Sequence, residues 1–238
     1  STYEGEDITP LMYASQNGNY RIAKLLIEHG ADINIVPSDG NSAIFAAVRS
    51  GNDSIVELLL DNNAIINVKN QDGITPLHYA VGYGFPYIAD LLLYYGANPD
   101  TLDDNGNSPI MIAAYSGAAN CIQLLINHNV NIDLQDSFGN TPLMIAAQFN
   151  DTALVKLLID NGSNVTIKNY KNADAIDFAI KNGSYESLMQ LLSIIDTLKT
   201  KPQTNNKYYE LANEEDYPVM KALLKEKGYA TKLKPSIS

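Results

Sequence analysis

Three histidines, one cysteine and 27 acidic residues are the side chains from which this 238-residue chain would have to build catalysis or metal binding. A single cysteine, Cys121, allows neither an intramolecular disulfide nor a thiolate metal cage. Paired carboxylates do acid–base chemistry when a nucleophile or a positioned imidazole stands beside them. The candidates Asp32, Asp39, Asp72, Asp100, Asp103, Asp104, Asp133 and Asp136 recur along the chain without such a companion. No loop concentrates carboxylates in the pattern that binds calcium, and no glycine-rich phosphate loop is present. These residue types predict no catalytic residue, no cofactor and no metal.

The formal net charge is −11. It is uneven: residues 1–165 hold five Lys/Arg against 18 Asp/Glu, residues 166–238 eleven against nine. Such acidity argues against duplex DNA and anionic lipid as partners and favours a cationic one. No run of 18 apolar residues predicts a membrane-spanning helix. One free cysteine favours the cytoplasm and is compatible with secretion. Ser1 is not a start methionine, which points to a processed chain or an excised one.

The elements that carry these residues repeat. Thr9-Pro10-Leu11, Thr75-Pro76-Leu77 and Thr141-Pro142-Leu143 recur at multiples of 33 residues, with Ser42-Ala43-Ile44 and Ser108-Pro109-Ile110 between them. Each Thr or Ser reads as a helix N-cap whose hydroxyl accepts a backbone N–H, and each Pro as the first helical residue. An alanine follows five positions on: Ala14, Ala47, Ala80, Ala113, Ala146, Ala179 and Ala212. Gly18, Gly51, Gly84, Gly117, Asn150 and Gly183 then end a short first helix. A second helix carries a Leu-Leu stripe and ends at Gly30, Asn63, Gly96, Asn129, Gly162 and Gly228. Asp39-Gly40, Asp72-Gly73 and Asn105-Gly106 mark tight turns. Cys121 falls in the core column of Ile22, Ile55, Ile88, Leu154 and Met220, so it reads as a small apolar residue. His29 and His128 share a column at second-helix ends, three repeats apart, so they cannot share a metal.

Helix–turn–helix plus a turn at this period resembles the ankyrin repeat, most closely in Asp72-Gly73-Ile74-Thr75-Pro76-Leu77-His78-Tyr79-Ala80 and Leu91-Leu92-Leu93-Tyr94-Tyr95-Gly96-Ala97-Asn98. The resemblance implies an all-α solenoid of stacked helix-turn-helix units with short β-hairpin loops. It implies one domain over residues 1–229, with repeats at about 5–36, 37–69, 70–102, 103–135, 136–168, 169–201 and 202–229, and a frayed tail at 230–238. It also makes His78 a structural brace of its turn. The last two units depart from the pattern. Asp174-Ala175-Ile176 replaces Thr-Pro-Leu, and Ile195 stands where a glycine should cap, which predicts either a longer helix or a distorted hairpin. Asp196–Asn206 reads as an irregular connection. Lys221 and Lys225 replace apolar residues, as the exposed face of a terminal repeat requires.

By the same resemblance, the concave groove and hairpin tips bind a protein segment without catalysis. The contact residues it implies are Asp39, Arg49, Asp72, Tyr83, Asp104, Tyr115, Phe138, Gln148, Phe149 and Tyr170. Aromatic anchors among carboxylates suit a segment that carries Lys or Arg beside an apolar residue. The binder is expected to be a monomer serving as part of a scaffold, regulator or effector. The alternative is the ankyrin portion of a larger enzyme or toxin. Tyr87 and Tyr94, seven apart on one helix face, mark a further exposed pair.

Overall fold

The structure, a computed structural model, describes residues 8–198 and 207–230. Its helices come in pairs. They are α1 (Pro10–Gln16) and α2 (Tyr20–Glu28), α3 (Ala43–Arg49) and α4 (Asp53–Asp61), α5 (Pro76–Gly82) and α6 (Pro86–Tyr94), and α7 (Pro109–Ser116) and α8 (Ala119–Asn127). They continue as α9 (Pro142–Gln148) and α10 (Thr152–Asp160), α11 (Ala175–Lys181) and α12 (Tyr185–Leu198), and α13 (Lys207–Glu214) and α14 (Pro218–Glu226). Among the described residues there is no strand. The loops expected as β-hairpins are single turns, closed by bonds such as Asn70 N to Ile74 O at 3.0 Å and Asp103 N to Asn107 O at 2.9 Å.

The chain forms two compact units, Ser1–Ser137 and Phe138–Ser238. In the first, α1, α3, α5 and α7 stack side by side, α2, α4, α6 and α8 do likewise, and each pair packs internally. In the second, α9, α11 and α13 form the inner row, with α10, α12 and α14 packed on them. The small column explains the close approach of the two helices of a pair. Ala47, Ala80, Ala113, Ala179 and Ala212 are wholly buried, and a larger side chain there would push the helices apart. The second leucine column, Leu59, Leu92, Leu125, Leu158, Leu191 and Leu224, is buried to the same degree and supplies much of the hydrophobic stabilisation.

The caps vary more than their columns. Thr9 and Thr141 accept from the backbone N–H of Met12 and Met144 at 3.2 and 3.4 Å. The Thr75 hydroxyl instead meets His78 Nδ1 at 2.8 Å. Ser42 makes no cap bond, and the buried Ser108 hydroxyl has no partner among the described residues. Threonine's second γ-substituent holds χ1 in few rotamers, a restraint that serine lacks. Left-handed backbone is adopted at every expected helix end, by Asn63, Asn129 and Asn150 (φ 66°, 57° and 54°) as well as by glycine.

Ile195, buried in place of a cap, lets α12 run on for 14 residues where the other second helices have nine. Asp196 to Leu198 are therefore helical rather than part of an irregular connection. Residues 199–206, the rest of that connection, and 231–238, the expected frayed tail, lie outside the described residues.

The sixth pair holds a polar cluster that the pattern did not foretell. Asp174 caps α11, accepting from Ile176 N and Asp177 N at 3.1 and 3.2 Å, while the Asp177 carboxylate accepts from Asp174 N at 2.8 Å. The Tyr208 hydroxyl donates to Asp174 at 2.7 Å, and the Lys207 ammonium pairs with Asp177 and donates to Asn172 O at 3.0 Å. Burial, and then the Asp177 charge, push the Asp174 carboxyl above its ordinary range, despite the opposing Tyr208 bond and Lys207 charge. A carboxyl raised on folding binds more protons in the native state, so its contribution is present below the unfolded value and is lost as pH rises through the folded one. Asp174→Asn should therefore flatten the fall in stability from about pH 4 upward. Urea titrations of both proteins across that range measure it, and parallel curves would refute it.

Candidate functional site

Successive turn tips of the first unit are tied by backbone bonds, Gln71 N to Asp39 O at 3.2 Å, Asp104 N to Asp72 O at 3.0 Å and Ser137 N to Asn105 O at 3.1 Å. These bonds set Asp39, Asp72 and Asp104 in one row, all exposed. Burial pushes the Asp39 carboxyl up, but bonds from the Asn41 side chain and backbone and from its own amide, with the Arg49 charge, outweigh it and hold it below the usual range. Not every acid in these turns is free for a partner. Asp103 is buried and accepts from Asn105 N and Asn107 N at 2.9 and 2.7 Å, which fixes the turn that presents Asp104.

Beside the row runs an aromatic ladder. Phe45 meets Tyr79 edge-on at 5.6 Å, Tyr79 stacks on Tyr83 at 5.8 Å, and Tyr83 leans on Phe85 at 5.9 Å. Tyr83 and Tyr115 are about half exposed. Tyr79 and Phe45 were not among the expected contacts. A cleft of about 330 Å³ opens here between Asp39 and Arg49, with Met12, Pro37, Phe45 and Tyr79 along it. Its apolar floor and opposed charges can seat an apolar side chain flanked by a polar one.

In the second unit, Tyr170 N donates to Phe138 O at 3.0 Å, so these two exposed aromatic side chains sit on adjacent tips. Phe149 is exposed and Gln148 half-buried at the end of α9. A cleft of about 220 Å³ is lined by Phe138, Asn140, Phe178, Lys171 and Lys181. Its charge is cationic, unlike that of the first unit.

The remaining chemistry-bearing residues make local contacts within the fold. Cys121 is buried, and burial pushes its thiol pKa up, away from the nucleophilic thiolate. His78 bridges Thr75 and the Asn107 carbonyl, 3.1 Å from its Nε2, and burial pulls its pKa down. His29 Nδ1 sits 2.8 Å from Leu25 O, and His128 Nε2 sits 3.1 Å from Asp90 Oδ1. No group of three His, Cys, Asp or Glu among the described residues could hold a metal ion. No described helix is long and apolar enough to cross a membrane. Tyr87 and Tyr94 are exposed on α6, with Tyr94 edge-on to Tyr95 and the Tyr95 hydroxyl bonded to Asp61.

A family model described as ankyrin repeats (3 copies) matches residues 2–70, 47–136, 77–169 and 128–205. A search of curated proteins finds no match.

Proposed function

Because this chain belongs to the ankyrin-repeat family, we propose that it is a contact module whose first unit binds a protein segment carrying Lys or Arg next to an apolar residue. Ankyrin repeats are in general protein–protein interaction modules and typically non-catalytic. The observation that carries the finer reading is the exposed row Asp39, Asp72 and Asp104 beside the Tyr79–Tyr83 stack. Residues 8–137 hold four Lys/Arg against thirteen Asp/Glu, so the surrounding field adds to the row rather than cancelling it. A cation on the row reaches carboxylates at one edge and aromatic faces at the other. Phe138, Gln148, Phe149 and Tyr170 belong to a separate contact surface on the second unit, where Lys171 and Lys181 favour a less basic stretch of the same partner.

Fluorescence anisotropy with short peptides pairing two or three Lys/Arg with Leu or Phe tests this. Wild type should bind them in preference to acidic peptides, and more weakly at high salt. Asp39→Asn/Asp72→Asn/Asp104→Asn should weaken binding by about tenfold or more, the equivalent of 1.4 kcal/mol. Tyr83→Ala/Tyr115→Ala should weaken it with a nearly unchanged melting curve, and adding Phe149→Ala should matter only for a longer segment that also reaches the second unit. Equal affinity for acidic peptides would sink the proposal.

A further inference from the structure

Within a repeat, the turn tip and the end of the first helix are two columns that meet across a cleft. In the first unit these columns hold Asp39 and Arg49, which line one cleft with opposed charges, and the Arg49 charge acts on the Asp39 carboxyl. Four repeats of 33 residues later, the same two columns hold Lys171 and Lys181. They too line one cleft, of about 220 Å³, together with Phe138 and Phe178. The second unit therefore rebuilds the first unit's cleft with the acid replaced by a base.

Among the described residues nothing neutralises this pair. Lys156, Lys207 and Lys227 of the same unit are each ion-paired with an aspartate, whereas neither Lys171 nor Lys181 pairs with a described carboxylate. No described carboxylate lines the cleft that they share with the two phenylalanines. Asp177, Glu210 and Glu214 line a neighbouring cleft on the α13 side, which the two lysines also border, and Asp177 is already held by Lys207. Both lysines are exposed, so each ammonium stays hydrated until a counter-charge arrives.

We propose that this cleft takes a phosphotyrosine of a protein partner, its ring against Phe138 and Phe178 and its phosphate between the Lys171 and Lys181 ammonium groups. Charge and size select this ligand. A phosphomonoester carries about −1.5 to −2 at pH 7 and three acceptor oxygens, so it answers two ammonium groups where a carboxylate answers one. Small-molecule pockets measure about 300–1,000 Å³, and this smaller cleft suits a single side chain. An aromatic ring meets the two phenylalanines in edge or offset contact, which phosphoserine, having no ring, cannot do. The inference rests on the chain being a contact module, but not on the cationic segment read for the first unit.

Fluorescence anisotropy of the full chain with short labelled peptides that contain no Lys or Arg is the test, since the first unit's preference for cations is then silent. A phosphotyrosine peptide should bind at least tenfold more tightly than its unphosphorylated twin and than a twin carrying phosphoserine. Lys171→Gln/Lys181→Gln should erase that preference with an unchanged circular dichroism spectrum, because both positions are exposed. Lys171→Arg/Lys181→Arg should retain it. On the wild-type chain, phenyl phosphate should displace the peptide at concentrations where inorganic phosphate does not, which keeps the proposal testable should a variant misfold. Equal binding of the three peptides, a preference that survives the Gln variant, or displacement by inorganic phosphate as readily as by phenyl phosphate would overturn it. Cationic peptides that still bound the first unit would leave that separate reading standing.

Discussion

Gly73→Ala is expected to lower the unfolding free energy by about 3 kcal/mol, and Gly96→Ala by only about 1–2 kcal/mol. Both glycines are left-handed, with φ of 72° and 100°, so an alanine Cβ strains the backbone at either one. Their surroundings separate them. A Cβ on Gly73 would stand 2.7 Å from Asp104 N and closer still to the Asp104 carboxylate, whereas one on Gly96 meets nothing within 4 Å. Asp104 N is the donor that ties its turn to Asp72 O, so relief at Gly73 must break that bond and separate two members of the acidic row. Gly73→Ala should accordingly lose affinity for cationic peptides along with stability, and Gly96→Ala should keep its affinity. Urea unfolding and the exchange rate of the Asp104 amide measure both effects. Equal losses in the two variants would show that turn stacking is not what Gly73 protects.

Lys207→Met is expected to cost about 2–3 kcal/mol. Asp177 is 2% exposed and one of its carboxylate oxygens has no hydrogen-bond partner among the described residues, so without the ammonium it is a buried, uncompensated charge. The lysine itself is about one third exposed, which places the cost toward the low end for a broken buried pair. Lys207→Met/Asp177→Asn should recover most of the loss, because the neutral amide oxygen can still accept from Asp174 N and no desolvated charge remains. The damage should be local. α13 meets α11 through this pair and the Tyr208–Asp174 bond, so hydrogen exchange should quicken in α13 and α14 before it does in α9. Uniform quickening, or no rescue by the double change, would refute the assignment.

The helix pairs, their caps and their buried columns were legible in the sequence, because a 33-residue register repeats each constraint. Ala47 and Ala80 identify one another, and Asn63 can be read as a left-handed cap because Gly30 and Gly96 flank it in register. What repetition cannot show is where a column stops meaning the same thing. Ile22 reads as core because Ile55 is core, yet Ile22 is 51% exposed in the structure. The Asp174–Asp177–Lys207–Tyr208 cluster was hidden for a related reason. It replaces Thr and His with charges whose partners come from the next repeat, so no single column carries it. The exposed contact candidates are legible as residues that escape their columns, but Tyr79, half in the core and half in the ladder, belongs to both groups.

Cys121 gives the molecule a clock. It is the sole thiol, 1% exposed in α8, with its ionisation further suppressed by burial. A thiol reagent can reach it only during excursions in which α8 parts from its neighbours. At high reagent concentration its labelling rate therefore counts how often the first unit opens, without any engineered probe. A cysteine introduced at an exposed tip would react within the dead time of that measurement. Occupancy of the contact surface and breathing of the stack beneath it could then be timed in one experiment on the same chain.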